Sequence, residues 1–227
     1  MKLTYWGHSC FFIETGSHAL LIDPFLSGNP FAPVQPSQVR CDFILISHGH
    51  NDHFGDALEI AQRINATIIA NYEIATYCAN QGVRSHGMQI GGGHNFAFGR
   101  VKLTPAFHGS ALETDSGFLY MGNPTGFLIT AGGKTIYHAG DTGLFGDMKL
   151  IGDMNSLDVA LLPIGDNYTM GIDDAIKAVE FLHPRTVIPM HYNTFDLIAC
   201  DPHLFAQKCH AIGARAEVLE IGKSFER

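Results

Sequence analysis

Paired cysteines, basic clusters and long apolar runs are all missing from this sequence. Its five cysteines (Cys10, Cys41, Cys78, Cys200 and Cys209) are odd in number, scattered and never spaced C-x-x-C. That argues against a disulfide framework and against a thiolate-closed zinc, and it points to a cytoplasmic setting. Lys and Arg total 14 against 22 Asp and Glu, giving a net charge of −8 with no basic patch. A grip on the phosphate backbone of nucleic acid is therefore not expected. No apolar stretch approaches the roughly 20 residues of a membrane span. The opening MKLTYWGHSCFFIE carries one basic residue, and His8 and Glu14 interrupt its apolar run, so it reads as neither signal peptide nor anchor. Gly91-Gly92-Gly93 is a turn and not a phosphate loop, because no helix with Lys-Ser/Thr follows.

Histidine is what the chain has in plenty: 13 in 227 residues. Three of them, with one aspartate, fall in Ser47-His48-Gly49-His50-Asn51-Asp52-His53-Phe54-Gly55, directly after the apolar run Phe43-Ile44-Leu45-Ile46. That run reads as a buried strand, so the histidines sit where the strand ends and a loop leads to a helix. Ligands in α/β proteins bind at that edge. His48 and His50 alternate about Gly49, which in extended backbone turns both rings to one side. Asp52 and His53 fall past the bend and face a second point nearby. Imidazole and carboxylate donors without a thiolate suit zinc, manganese, iron or nickel. The layout predicts two metal ions.

With 46% apolar and 16% charged residues, the length fits one domain over residues 1–227 with a substantial core. Strands are expected at 2–6, 10–14, 18–23, 42–47, 66–70, 95–98, 101–107, 127–131, 134–137, 159–163, 186–189 and 216–221. Helices are expected at 56–64, with Asp56 as N-cap, and at 72–80, 173–181 and 202–212. The Pro- and Gly-rich stretch 24–40 is either a surface connection or a lip over a site. Strands followed by helix recur in each half, which hints at two similar halves.

Three further residues share the position of the histidine cluster, at the C-terminal end of an apolar strand: His108, Asp141 and His191. Alone each has an ordinary reading, as a bonded core histidine, a turn residue or a backbone contact. Together they gain meaning, because strands of one sheet deliver their ends to one edge. His8, in Tyr-Trp-Gly-His-Ser-Cys, is expected at the site rim as a substrate contact or proton donor. His138 points elsewhere, into core or behind the ligands. Asp166 and Tyr168 are candidates for orienting a ligand histidine or touching substrate.

The order H-x-H-x-D-H, then an isolated His, Gly-Asp-Thr and Pro-x-His, resembles the metallo-β-lactamase superfamily over nearly the whole chain. The resemblance implies an α/β four-layer αββα sandwich. It implies one metal on His48, His50 and His108, a second on Asp52, His53 and His191, and Asp141 bridging the two. The opening Tyr-Trp-Gly-His8-Ser-Cys-Phe is similar to a branch of small bacterial or archaeal metal-dependent hydrolases related to the ascorbate-phosphate lactonases. True β-lactamases carry cysteine where this chain has Asp141, so antibiotic hydrolysis is not expected. The RNA-gripping arm of the tRNA-maturation nucleases and the longer basic C-terminal region of the thioester hydrolases have no counterpart.

The expected function is hydrolysis of a small ester, lactone, amide or phosphodiester by a hydroxide bridging two divalent ions, zinc first among them. Asp52 serves there both as ligand and as orienter of the nucleophile. The competing readings are a non-haem iron oxidoreductase or dioxygenase and a non-catalytic metal-binding protein. The expected partner is a small molecule, with neither nucleic acid nor membrane, and self-association is left open. Phe25, Phe31 and Phe118 form a candidate apolar patch facing substrate or another subunit.

Overall fold

The computed structural model describes residues 1–226. In chain order the first half holds β1 (Lys2–Tyr5), β2 (Phe11–Glu14), β3 (Ala19–Ile22), β4 (Phe43–Ile46), α1 (Asn51–Phe54), α2 (Ala57–Ile64), β5 (Thr67–Asn71), α3 (Tyr72–Asn80) and β6 (Ser85–Met88). Next come β7 (Gly93–Phe96), β8 (Gly99–Pro105), β9 (Ala111–Thr114), β10 (Gly117–Tyr120), β11 (Thr125–Ala131) and β12 (Lys134–His138). The remainder is α4 (Met148–Met154), β13 (Val159–Pro163), α5 (Ile172–Leu182), β14 (Val187–Met190), α6 (Pro202–Ala211) and β15 (Ser224–Glu226).

The strands form a seven-stranded sheet in the order β15-β1-β2-β3-β4-β5-β6, a six-stranded sheet in the order β14-β13-β12-β11-β8-β7, and a separate β9–β10 hairpin. Each sheet passes from antiparallel pairs to parallel ones, at β3–β4 in the first and at β12–β13 in the second. The expected similarity of the halves is visible in that switch. Alternation along the strands explains the layers. Leu20, Ile22, Leu45 and Ile69 share one core with the second sheet, while Leu21, Ile44, Ile46, Ile68 and Ala70 pack with α2 and α3 through Ile60, Ala61, Ile74 and Cys78. Strands apolar on both faces are what a parallel sheet covered on both sides requires. On the far side, Met148 and Ile151 of α4, Ala178 and Leu182 of α5, and Phe205 of α6 join the core of the second sheet. The result is helix, sheet, sheet, helix. Each fully buried Ile or Leu in these layers contributes about 1.5–3 kcal/mol relative to exposure.

Six elements were not expected from sequence: α1, β6, β9, β10, α4 and β15. Conversely, the strand expected at 216–221 is a single bridge, Val187 with Ala216, and the edge strand lies at Ser224–Glu226. Asp56 precedes α2 but does not cap it. Its carboxylate instead accepts from the Leu26 and Ser27 amides, both at 2.9 Å, and so folds the 24–40 stretch back onto the helix layer.

Candidate metal centre

Strand ends on one edge of the two sheets deliver the polar residues. His8 follows β1, Asp23 follows β3, Ser47 and His48 follow β4, His108 follows β8, Asp141 follows β12 and His191 follows β14. The short α1 then turns Asp52 and His53 back toward them. Three of these residues hold left-handed backbone, with φ of 55° at His8, 45° at Asp23 and 55° at His191. Such conformations cost about 1–3 kcal/mol and persist where the surroundings over-determine them, commonly at functional sites. Here the His191 amide donates to the His8 carbonyl at 2.8 Å, and the Tyr5 hydroxyl donates to the same carbonyl at 3.1 Å.

The donors gather in two adjoining nests. In the first, His50 Nδ1 lies 3.0 Å from His48 Nε2 and 3.2 Å from His108 Nε2. In the second, Asp141 Oδ2 lies 2.9 Å from His191 Nε2 and 3.2 Å from His53 Nε2, and both nitrogens are 3.9 Å from Asp52 Oδ2. Asp141 Oδ2 is also 3.6 Å from His108 Nε2, which sets this carboxylate between the nests. His53 Nε2, both ring nitrogens of His191 and Asp141 Oδ1 are buried without a hydrogen-bond partner. Buried polar atoms are normally satisfied, so this orphaned set fits metal ions.

A residue that sequence reasoning missed organises the site from behind. Asp23 is fully buried, and its Oδ1 accepts from the Ser47 amide at 2.8 Å. Its Oδ2 accepts from the Ser47 hydroxyl at 2.6 Å and from His53 Nδ1 at 2.8 Å. With its proton given to Asp23, Ser47 Oγ accepts from His48 Nδ1 at 2.9 Å. Both histidines therefore donate from Nδ1 and turn Nε2 into the nests. The signal was present, since Asp23 follows the apolar strand Ala19–Ile22 just as Asp141 follows Lys134–His138. Ser110 and Thr142 were missed as well. The first accepts from the Gly49 amide at 3.0 Å, and the second from the Phe107 amide at 2.9 Å, beside His108. At Gly49 a Cβ would stand 2.4 Å from the Met121 Cβ, so only glycine lets the histidine loop lie this close to its neighbour.

Electrostatics match the geometry. Burial lowers the pKa of His48, His50 and His108, leaving neutral rings suited to ligation. Burial pushes Asp52 and Asp141 up. For Asp52 it is outweighed by His53 and the His8 hydrogen bond, and for Asp141 by His191 and His53, so both stay well below the usual carboxylate range. Burial pulls His53 down, but the Asp141, Asp52 and Asp23 carboxylates overcome it and raise it well above the ordinary histidine value. Three carboxylates around one ring make a pocket for positive charge, which a metal ion fills in exchange for a proton.

His8 is not at the rim. It is buried, because Nε2 meets Asp52 Oδ2 at 3.0 Å and Nδ1 meets Thr194 Oγ1 at 2.9 Å. Burial, reinforced by His191, lowers its pKa to about 4, so the ring is neutral. Asp52 is ionised and must accept, which assigns the proton to Nε2 and makes Nδ1 the acceptor for Thr194. His138 lies in the core as expected, between the Ser9 carbonyl at 3.0 Å and the Gly140 amide at 3.1 Å. Tyr168 lines the cavity above the nests, whereas Asp166 faces a separate groove beside α5 and orients no ligand histidine. Phe25 and Phe118 line the metal cavity, while Phe31 lines a neighbouring one with His8 and Thr194, so the expected patch is divided. The cavity over the nests has a volume of about 510 Å³, within the usual range for small-molecule sites.

Sheets flanked by helices carry histidines and carboxylates that converge at the strand ends, and curated relatives of the chain are named metal-dependent hydrolases, the class to which it belongs. The family model described as "Beta-lactamase superfamily domain" matches residues 2–191, and the chain belongs to the metallo-β-lactamase superfamily. It is 56% identical over 225 residues to a UPF0173 metal-dependent hydrolase of Desulforamulus reducens, covering 98% of both chains. It is 55% identical over 228 residues to another of that name from Pelotomaculum thermopropionicum, covering 100% of both. Among solved structures it is similar to Igni18, a metallo hydrolase from the hyperthermophilic archaeon Ignicoccus hospitalis. That match has 42% identity and a TM-score of 0.90, covering 100% of this chain and 98% of the other.

Proposed function

We propose that the chain is a dinuclear hydrolase of small esters, lactones, amides or phosphodiesters. His48, His50 and His108 hold one divalent ion, and Asp52, His53 and His191 hold the other, with Asp141 shared. The observation that carries this reading is Asp141 Oδ2, within 3.6 Å of ring nitrogens from both nests and surrounded by orphaned donor atoms. Nitrogen and oxygen donors of this kind suit zinc first, and also manganese, iron or nickel. When bound, such ions supply water activated to hydroxide near neutral pH and an electrophile for the carbonyl or phosphoryl oxygen.

The chain's own residues do the rest. Asp23 and Ser47 fix the tautomers and directions of His48 and His53. His8 holds Asp52 ionised through Nε2–H, and because that nitrogen carries a proton, His8 is a positioning residue and not a ligand. Asp52 lines the cavity, where its ionised carboxylate would accept a hydrogen bond from the attacking water and so orient it. Tyr168, also on the cavity wall, presents a hydroxyl to substrate.

The test is elemental analysis of the purified chain, followed by chelation and metal add-back on a panel of esters and phosphodiesters. Close to two metals per chain, with hydrolysis lost on chelation and restored by zinc or manganese, is the expected result. A single tightly held iron without hydrolysis overturns the proposal.

A further inference from the structure

The wall of the metal cavity carries information about what enters it. Above the nests it is built from Phe25, Ala111, Phe118, Tyr168, Phe195 and Leu197. Several of these stand open to solvent at the mouth: Phe118 is 78% exposed, Leu197 64%, Tyr168 51% and Phe195 41%. Large apolar side chains held open in a ring around polar donors mark a binding surface for apolar matter. Phe195 is braced in place by Phe25 and by His8, with ring centroids 6.1 Å and 5.6 Å away.

Phe118 sits on the β9–β10 hairpin, which the metal loop itself anchors. Asn51 Oδ1 accepts from the Glu113 amide at 3.2 Å, and Asn51 Nδ2 donates to the Glu113 carbonyl at 3.4 Å. The hairpin is thereby registered on α1, one residue from Asp52. It also brings Glu113, paired with Phe118 across the hairpin, to the cavity wall. Among the described residues, no Lys or Arg lines this cavity. An anionic substrate group outside the metals would meet no Lys or Arg, the acidic Glu113 and a chain of net charge −8.

We propose that the substrate is an uncharged small molecule bearing an alkyl or aryl group, which seats against Phe118, Tyr168, Phe195 and Leu197 while its hydrolysable bond faces the nests. The β9–β10 hairpin is then the specificity element, with Phe118 selecting for apolar groups and Glu113 selecting against negative ones. This inference rests on the hydrolase reading, and its test separates the two.

The zinc-loaded chain is assayed on para-nitrophenyl acetate, hexanoate and phenylacetate, on the anionic mono-para-nitrophenyl succinate, and on bis-para-nitrophenyl phosphate. Four added methylenes each contribute up to about fourfold when fully buried. A rise in kcat/KM of at least about tenfold from acetate to hexanoate is therefore expected with only partial burial, with the succinyl ester below acetate. Phe118→Ser removes most of the hexanoate advantage, and Glu113→Lys raises the succinyl ester relative to acetate. A flat chain-length response, or a preference for the succinyl ester or the phosphodiester, overturns the substrate class while leaving the hydrolase standing. If no ester is cut in a chelator-sensitive way, the hydrolase reading fails instead. Binding then decides the cavity's preference: phenylethanethiol raising the melting temperature more than mercaptosuccinate supports it, and the reverse or no difference overturns it. Concentration-dependent dimerisation abolished by Phe118→Ser, with ester selectivity unchanged, would assign the rim to a second copy of the chain and overturn the proposal.

Discussion

Asp23 Oδ2 lies 2.8 Å from Nδ1 of His53, and the same oxygen takes the Ser47 hydroxyl proton at 2.6 Å. One buried carboxylate thus orients a histidine in each nest, directly for His53 and through Ser47 for His48.

Asp23→Asn keeps the shape but cannot accept from both partners with equal strength. Outer-sphere changes of this kind cost about 10–100-fold in metal affinity. Competition against a chromophoric chelator should show that loss for both bound ions, since both nests depend on Asp23. Unchanged affinity at both would separate Asp23 from the centre.

Asp141→Ala removes the group between the nests and leaves Nε2 of His53 and Nε2 of His191 without the carboxylate nearest each. Metal content and hydrolysis should fall together, with kcat/KM reduced at least about 100-fold, beyond what outer-sphere changes produce. Full activity with two metals retained would remove Asp141 from the bridge.

Much of this site is legible in the sequence. His48, His108, Asp141 and His191 each follow the end of an apolar strand, strand ends converge, and His50, Asp52 and His53 come in the turn and short helix directly after His48. What stayed hidden has a common physical cause. The β9–β10 strand Gly117–Tyr120 is exposed at every position, so no period-two alternation announces it. In α4, Gly152 lowers helix propensity, but the space there demands it, since a Cβ would stand 2.3 Å from the Phe181 carbonyl oxygen. Asp56 sits where an N-cap belongs, and tertiary contact with Leu26 and Ser27 claims its carboxylate. The burial of His8 depends on Thr194, distant in sequence, and local pattern cannot report such a partner.

His8→Ala should retain both metals and lower turnover about 10–100-fold by releasing Asp52. His8→Gln, which keeps a donor toward Asp52 and an acceptor toward Thr194, should recover part of it. Loss of a metal in His8→Ala would make His8 a ligand.

Acid should weaken the metal-free chain partly through this residue. Burial lowers the His8 pKa to about 4 in the folded chain, against the ordinary histidine value of about 6.5, so the unfolded chain takes up the proton first as pH falls. Its contribution to stability is complete above about pH 6.5 and is lost progressively down to about pH 4, reaching about 3 kcal/mol in all. In urea unfolding, the wild type should lose about 2 kcal/mol more than His8→Gln between pH 7.5 and pH 5. Equal losses would contradict the buried neutral ring.

Gly49→Ala forces a methyl against Met121 and should destabilise the chain by about 1–3 kcal/mol, with metal affinity reduced as the histidine loop moves. Met121→Gly in the same chain removes the Cβ that the methyl meets and should restore part of the metal affinity. Additive losses in the double variant would show that the close approach is not what fixes glycine there.

The β9–β10 hairpin belongs to neither sheet, and most of its residues have no core to fill. Mutations along 111–120 are therefore judged by what the enzyme accepts and hardly at all by whether the chain folds. The metal scaffold and the selector of substrate can accordingly diverge at different rates within one lineage. Exchanging this ten-residue stretch between relatives should transplant preference while the catalytic base stays put, which makes the hairpin the natural handle for redirecting the enzyme.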